Sequence, residues 1–335
     1  MSTAPQAKPD TPHAGTTEQK RSLWRVFLEQ REITVGLVVV VLATFLAIAS
    51  PNFLNRANLI ALVLGLSFNA IVAVGMTVLL VSGGFDLSVG STLALAGALA
   101  GYALVFWKVP VPVAILIGLL AGAVVGLGNG LLVAKVGVNP LIATLGMMSV
   151  VRGMVLLITS GFGIPNLPDS FNVIAQGKAM GLQFPVFVMI VCVVVGDILL
   201  RRSSYFRQSY FVGGNIKSAR LSGIRVGRMQ IVNYIIVGVM AAISGLLLTA
   251  RFGTASVSAG QGIELQVISA VVIGGASLAG GEGTVIGSLL GVTLMALIYN
   301  GLNLLGINVY WQTIVIGTVL VIAVATDALS RRSQA

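Results

Sequence analysis

From residue 33 to residue 327 the chain is a succession of apolar runs, most of them close to 20 residues long, parted by short polar segments. A helix needs about 20 apolar residues to cross the hydrocarbon core of a bilayer. Such a segment has no water to bond its backbone, so it closes its hydrogen bonds internally as a helix. The pattern predicts an all-α membrane protein with about ten transmembrane helices. They fall near residues 33–50, 58–81, 89–107, 111–134, 139–160, 184–200, 230–250, 263–279, 283–304 and 309–327. Only 9% of the 335 residues are charged, against about 25% in soluble domains, which leaves too little polar surface for a fully solvated molecule. The 41 glycines suit helices whose backbones approach closely in lipid.

Basic residues set the expected orientation. Lys20, Arg21, Arg25, Arg31, Lys135, Arg331 and Arg332 fall on one side of the membrane, together with the cluster Arg201, Arg202, Arg207, Lys217, Arg220, Arg225 and Arg228. The other side keeps Arg56, Lys108, Lys178 and Arg251. Positive loops stay cytoplasmic, so both termini are expected there. The net charge of +10 is explained by these loops meeting anionic headgroups; no basic stripe is interleaved with exposed aromatics, which argues against a nucleic-acid partner.

Residues 1–32 read as a polar cytoplasmic tail, with a short surface helix over 20–32 where Leu23, Trp24, Phe27 and Leu28 recur at helical spacing. Residues 33–328 form the transmembrane domain, including a cytoplasmic loop at 201–229, and residues 329–335 a second tail. The first apolar run is too long for a signal-peptide core and follows Glu29 and Glu32, so it reads as a retained span. A single cysteine, Cys192, and the lack of paired Cys/His spacing leave no disulfide framework and no metal centre to expect.

Within the loop 201–229, the stretch Gly213-Gly214-Asn215-Ile216-Lys217-Ser218-Ala219-Arg220-Leu221-Ser222-Gly223-Ile224 has the signals of a short capped helix. The two glycines can turn the chain, Asn215 can cap a helix starting at Ile216, and Gly223 can end it. Such a helix suits insertion into a groove on another protein; the plainer reading is a solvated positive loop. Residues 82–91, containing Gly83, Gly84, Asp86 and Ser88, form either an ordinary capped turn or a broken helix facing a pore. Residues 272–284 are too glycine-rich for a plain helix, and no G-x-x-x-x-G-K-[ST] phosphate loop occurs anywhere, so ATP chemistry would have to reside on a partner.

Polar residues inside the predicted spans mark candidates for a translocation path: Asn69, Asp86, Asn129, Thr144, Arg152, Asn300 and Asn303, with Glu264 and Gln266 beside them. Each also admits a purely structural reading, paired within the bundle or snorkelling to an interface. Glycines recur every four residues at Gly118, Gly122, Gly126 and Gly130, and at Gly283, Gly287 and Gly291, which predicts close helix contacts, within one chain in preference to between two copies. A faint repeat pairs Asn129-Gly130-Leu131 and Val136-Gly137-Val138-Asn139 with Asn300-Gly301-Leu302 and Leu305-Gly306-Ile307-Asn308, on spans that run in opposite directions.

Four segments, GGFDLSVGS (83–91), GGNIKSARLSGI (213–224), GIELQVISAVVIGGASLAGGEGT (262–284) and NGLNLLGI (300–307), closely resemble the ribose/arabinose/xylose-type permeases of bacterial ABC importers. The resemblance runs from about residue 35 to 328. It implies a type II-like permease of the inner membrane with ten helices, working as a homodimer or with a sister permease. It also implies a cytoplasmic ATPase with two nucleotide-binding cassettes, which carries the ATP and magnesium, and a periplasmic sugar-binding protein. Under it, Gly213, Gly214, Asn215, Ala219, Arg220, Ser222, Gly223 and Ile224 lie at the helix that meets the ATPase. Members of that family often carry acidic residues after the Asn, where Ile216 and Lys217 stand here.

The expected function is therefore import of a monosaccharide, ribose-like or another pentose or hexose, by a subunit that performs no catalysis and needs no cofactor of its own. The delivering protein would dock near 161–183 and 251–262. The alternatives are a nucleoside, an amino acid or an autoinducer sugar as cargo, or an ion-coupled secondary transporter. The last needs carboxylates near mid-membrane, whereas Asp86, Asp197, Glu264, Glu282 and Asp327 are expected near span ends.

Overall fold

A computed structural model describes residues 31–332. The surface helix expected over 20–32 lies, but for its last two residues, outside the described residues, as does the tail beyond 332. The chain folds into thirteen α-helices among the described residues: α1 (Arg31–Ala49), α2 (Arg56–Val81), α3 (Val89–Val105), α4 (Val111–Leu131), α5 (Pro140–Thr159), α6 (Asp169–Gln176), α7 (Phe184–Arg202), α8 (Ser204–Gly214), α9 (Ile216–Leu221), α10 (Val226–Phe252), α11 (Ile263–Ile273), α12 (Val285–Leu304) and α13 (Val309–Arg332). A π-helical turn, Leu132–Val136, extends α4. A two-stranded hairpin, β1 (Lys178–Ala179) and β2 (Leu182–Gln183), follows α6.

Helix starts follow local chemistry. The Asn55 side chain accepts from the Ala57 N–H to open α2, and Asn139 does the same for Leu141 at α5. Proline stands in the first turn of α4, α5 and α7, where its missing N–H leaves nothing unpaired. Seven helices are long and apolar enough to cross a membrane: α1, α2, α4, α5, α7, α10 and α12. With α3, α11 and the 24-residue α13 they make up the ten membrane segments.

One of those ten falls well short of its expected span, and a second is also short for a bilayer. The helix starting at residue 263 ends at Ile273 rather than 279, because residues 274–284 hold four glycines with positive φ, at Gly275, Gly280, Gly281 and Gly283. α3 has 17 residues and α11 has 11, a rise of about 26 and 16 Å. Neither crosses the bilayer alone; each is completed by irregular chain.

The most buried long helices, α2 and α10, cross at the centre. α1 and α5 are mostly exposed and form the perimeter. Around the central pair, α2–α5 and α10–α13 make the same set of contacts. α10 packs on α3 and α4 while α2 packs on α11 and α12; α3 touches α4 and α5 as α11 touches α12 and α13. The correspondence places Asn129 of α4 opposite Asn300 of α12, the pair marked by the repeat in the sequence. The glycine ladder of α4 lies against α10: a β-carbon on Gly122 or Gly126 would overlap the carbonyl of Gly238 or Tyr234. The ladders thus serve packing within the chain.

Because successive spans alternate in direction, Arg201, Arg202, Lys217, Arg220, Arg225, Arg228 and Lys135 gather at one end of the bundle, called here the basic end. Arg56, Lys108, Lys178 and Arg251 lie at the far end.

Candidate functional site

At the far end, α2 and α12 present amides to each other. Asn58 Nδ2 donates to Asn300 Oδ1 at 3.1 Å, and Asn300 Nδ2 donates back to Asn58 Oδ1 at 2.8 Å. Deeper down, Asn69, half-way along the 26-residue α2, donates through Nδ2 to Gln266 Oε1 of α11 at 3.4 Å. The two pairs frame a groove of about 510 Å³, lined also by Tyr299, Asn303 and Gln312, with no charged residue among its walls. Amides donate and accept at once. A wall of them binds neutral hydroxyl groups of either sense while giving an ion no counter-charge.

Beneath the groove the two short helices meet. A β-carbon on Gly90, in the first turn of α3, would lie 2.2 Å from the Gly260 carbonyl and 2.3 Å from a Glu264 carboxylate oxygen, so this close approach requires glycine. Glu264 Oε1 accepts from the Gly262 N–H at 3.2 Å. Arg152 of α5 reaches across: Nη1 donates to the carbonyls of Val257, at 2.9 Å, and Ala259, at 3.0 Å. It also attracts Glu264 electrostatically. Residues 253–255 stay at the far end, where Ala255 pairs with Ile164 through two backbone bonds. From there the chain descends to mid-depth, since Gln266 meets the midpoint of α2.

This corrects two expectations. Only the start of 251–262 belongs to the far face. Glu264 does stand at the end of its segment, as the second residue of α11, but that end is sunk to the depth of the Asn69–Gln266 pair instead of lying at the far face. Asp86 lies between the end of α2 and the start of α3, as expected, yet it is buried, 1% exposed, so position alone does not argue against an ion-coupled transporter. Both are instead held by structural donors. Asp86 Oδ1 accepts from the Ser88 N–H at 2.7 Å and from the Ser88 hydroxyl at 2.6 Å. Its Oδ2 accepts from Asn129 Nδ2 at 3.0 Å, and Asn129 Nδ2 also donates to Ser88 Oγ at 2.9 Å. The clasp ties the irregular start of α3 to α4.

At the basic end three glycine-rich stretches converge. Gly83 lies against the backbone of Gly213 and Ala279, and a β-carbon on Gly280 would collide with the α-carbons of Gly213 and Gly83 at 2.7 and 2.8 Å. The Gly281 N–H donates to the Val81 carbonyl at 2.9 Å, and the Tyr210 hydroxyl to the Gly283 carbonyl at 2.8 Å. The ends of α2, α8 and α11 are thereby locked to one another. Gly213 and Gly214 form the last turn of α8 instead of turning the chain ahead of α9; the break comes at Asn215, which is extended at φ −158°. Its side chain accepts from the Ser218 N–H at 3.0 Å, capping α9 as expected. Ala219 is buried against Val212, Val226 and Met229, with Ile224 packed alongside. Arg220, Ser222 and Gly223 are exposed, and Leu221 is 91% exposed at the tip.

The seven translocation candidates thus divide. Asn69, Asn300 and Asn303 share the groove. Asp86 and Asn129 form the buried clasp, and Arg152 braces the descending segment. Thr144 is buried and donates to the Pro140 carbonyl at 2.8 Å, one turn back on its own helix. Asn58, Tyr299 and Gln312 line the groove although polarity within the spans did not single them out. For Asn58 the signal was periodic: Asn58, Leu62, Gly65 and Asn69 repeat at 4, 3 and 4 residues along one face of α2.

A bundle of ten membrane segments, two of them short helices that meet beneath an uncharged groove, with a short capped helix exposed at the basic end, fits an integral membrane permease. The chain belongs to the family described as "Branched-chain amino acid transport system / permease component", whose sequence profile matches residues 58–324, and within it to the sugar-import permeases of the ABC class. It is 39% identical over 313 residues to the ribose import permease protein RbsC of Bacillus subtilis, covering 93% of this chain and 96% of that one. It is 38% identical over 316 residues to RbsC of Escherichia coli K12, covering 93% and 98%. The L-arabinose ABC transporter permease protein AraH of Azospirillum brasilense is 35% identical over 301 residues, covering 89% and 88%. No solved structure matches the chain.

Proposed function

We propose that this chain is the membrane subunit of an ATP-driven importer that passes a monosaccharide from a binding protein at the far face to the cytosol at the basic end. The observation that carries the reading is the course of α11. Its first turns line the groove through Gln266, and the glycine-rich loop that follows it meets Gly83 and Gly213 through Ala279 and Gly280. An 11-residue helix therefore connects the solute groove to the docking element. Closure of two ATPase cassettes on α9 would move α8 and, through the glycine junction, the foot of α11. The exposed Leu221 and Arg220 are the groups offered to the motor. The neutral amide wall favours an uncharged polyol over an amino acid zwitterion, and the similarity to ribose and arabinose permeases supports a pentose. A second copy of the chain or a sister permease would complete the passage beside the groove.

The test replaces Gly223 by Val and Arg220 by Ala. Gly223 has φ +82°, where a β-branched residue is strained by roughly 1–2 kcal/mol. Membrane insertion should persist while co-purification of the ATPase and ATP-dependent uptake are lost. Normal assembly and uptake in both variants would overturn the coupling role, and uptake abolished by an uncoupler at constant ATP would favour ion coupling.

A further inference from the structure

Beside α9 lies a second cavity, of about 310 Å³, walled by Tyr205 and Gln208 of α8, Ser222, and Arg225 and Arg228 at the start of α10. Its lining is rich in donors: two guanidiniums, a phenol, a hydroxyl and an amide. No carboxylate lines it, and neither guanidinium has an ion pair or hydrogen bond among the described residues. The cavity opens at the first turn of the 27-residue α10, whose dipole adds positive potential there. Partial burial raises the Tyr205 phenol, against the opposing charge of Arg228 close by.

We propose that this pocket holds the phosphodiester of an anionic phospholipid headgroup. Its depth selects the source of the phosphate. α7 leaves the membrane at Arg202 and α10 enters it at Val226, so residues 205–229 stand at the boundary where headgroups lie. Tyr205 and Phe206, in edge-to-face contact, fit the aromatic belt of that boundary. Planar guanidiniums match phosphate oxygens in pairs, and a surface-bound lipid is present at far higher local concentration than any soluble phosphate. Since Ser222, Gly223 and Ile224 form one wall, the bound headgroup would brace the exit of α9. This assignment does not depend on which solute the chain carries.

The test is retention of phosphatidylglycerol by the purified full chain, read by native mass spectrometry after exchange against phosphatidylcholine. The double variant Arg225→Gln/Arg228→Gln should retain roughly thirtyfold less, as expected for two basic groups at an anionic surface. Arg225→Lys/Arg228→Lys should recover part of it, and Tyr205→Phe should weaken retention with the fold intact. Equal retention by wild type and the Gln variant would overturn the proposal. Displacement by millimolar inorganic phosphate as readily as by phosphatidylglycerol vesicles would overturn the lipid assignment.

Discussion

A single buried amide, that of Asn129, ties the Asp86 carboxylate ahead of α3 to α4. Asn129 supplies the only side-chain donor to Asp86 from outside residues 82–91 among the described residues, and it is fully buried. Removing one donor to a buried carboxylate costs about 1.5–3 kcal/mol. Asn129→Leu should therefore lower the unfolding temperature in detergent. Asn129→Asp should lower it further, by setting a second carboxylate 3 Å from the first. A melting curve unchanged in both would show the clasp to be idle. This pairing was hidden in the sequence, because the partners are 43 positions apart and nothing in their polarity says whether they face each other or an aqueous passage. The caps at Asn55, Asn139 and Asn215 were open to reading, since a capping side chain and its N–H lie within three residues.

At the scale of elements, apolar run length located the membrane segments well, because lipid demands the same length of any chain that crosses it. It failed for the helix after Gly262. Hydropathy does not distinguish helical from irregular backbone, so residues 274–279 joined a span from which their glycines detach them. It also left α8 unseen within a polar loop, where packing of Val212 and Ser209 against α10 decides the fold. The junction of Gly83, Gly213 and Gly280 is the element most exposed to a small insult. Gly280 has φ +88° and no room for a β-carbon. Gly280→Ala should loosen the foot of α11 from α8, seen as protease cleavage within 204–224 and a several-fold fall in uptake at normal expression. Protection and uptake at wild-type levels would show that the contact can relax.

For the whole molecule, the asymmetry of basic residues predicts which end faces the cytosol. Met180, at the tip of the hairpin, is 96% exposed, and Leu221 on α9 is 91% exposed. In a chain carrying Cys192→Ser, Met180→Cys should react with an impermeant maleimide added from outside. Leu221→Cys should react only once the membrane is opened. The reverse labelling would invert the orientation and, with it, the direction of transport proposed here.

The half-length helices also bear on how such a chain is made. α11 has 11 residues and is flanked by glycine-rich, polar backbone, so it offers the insertion machinery too little hydrophobic length to partition on its own. Its partners in the finished bundle are α12 and the much earlier α2, so it is expected to enter only once α12 has emerged, as a hairpin laid against α2, and a chain stopped before α12 should leave α11 outside the membrane.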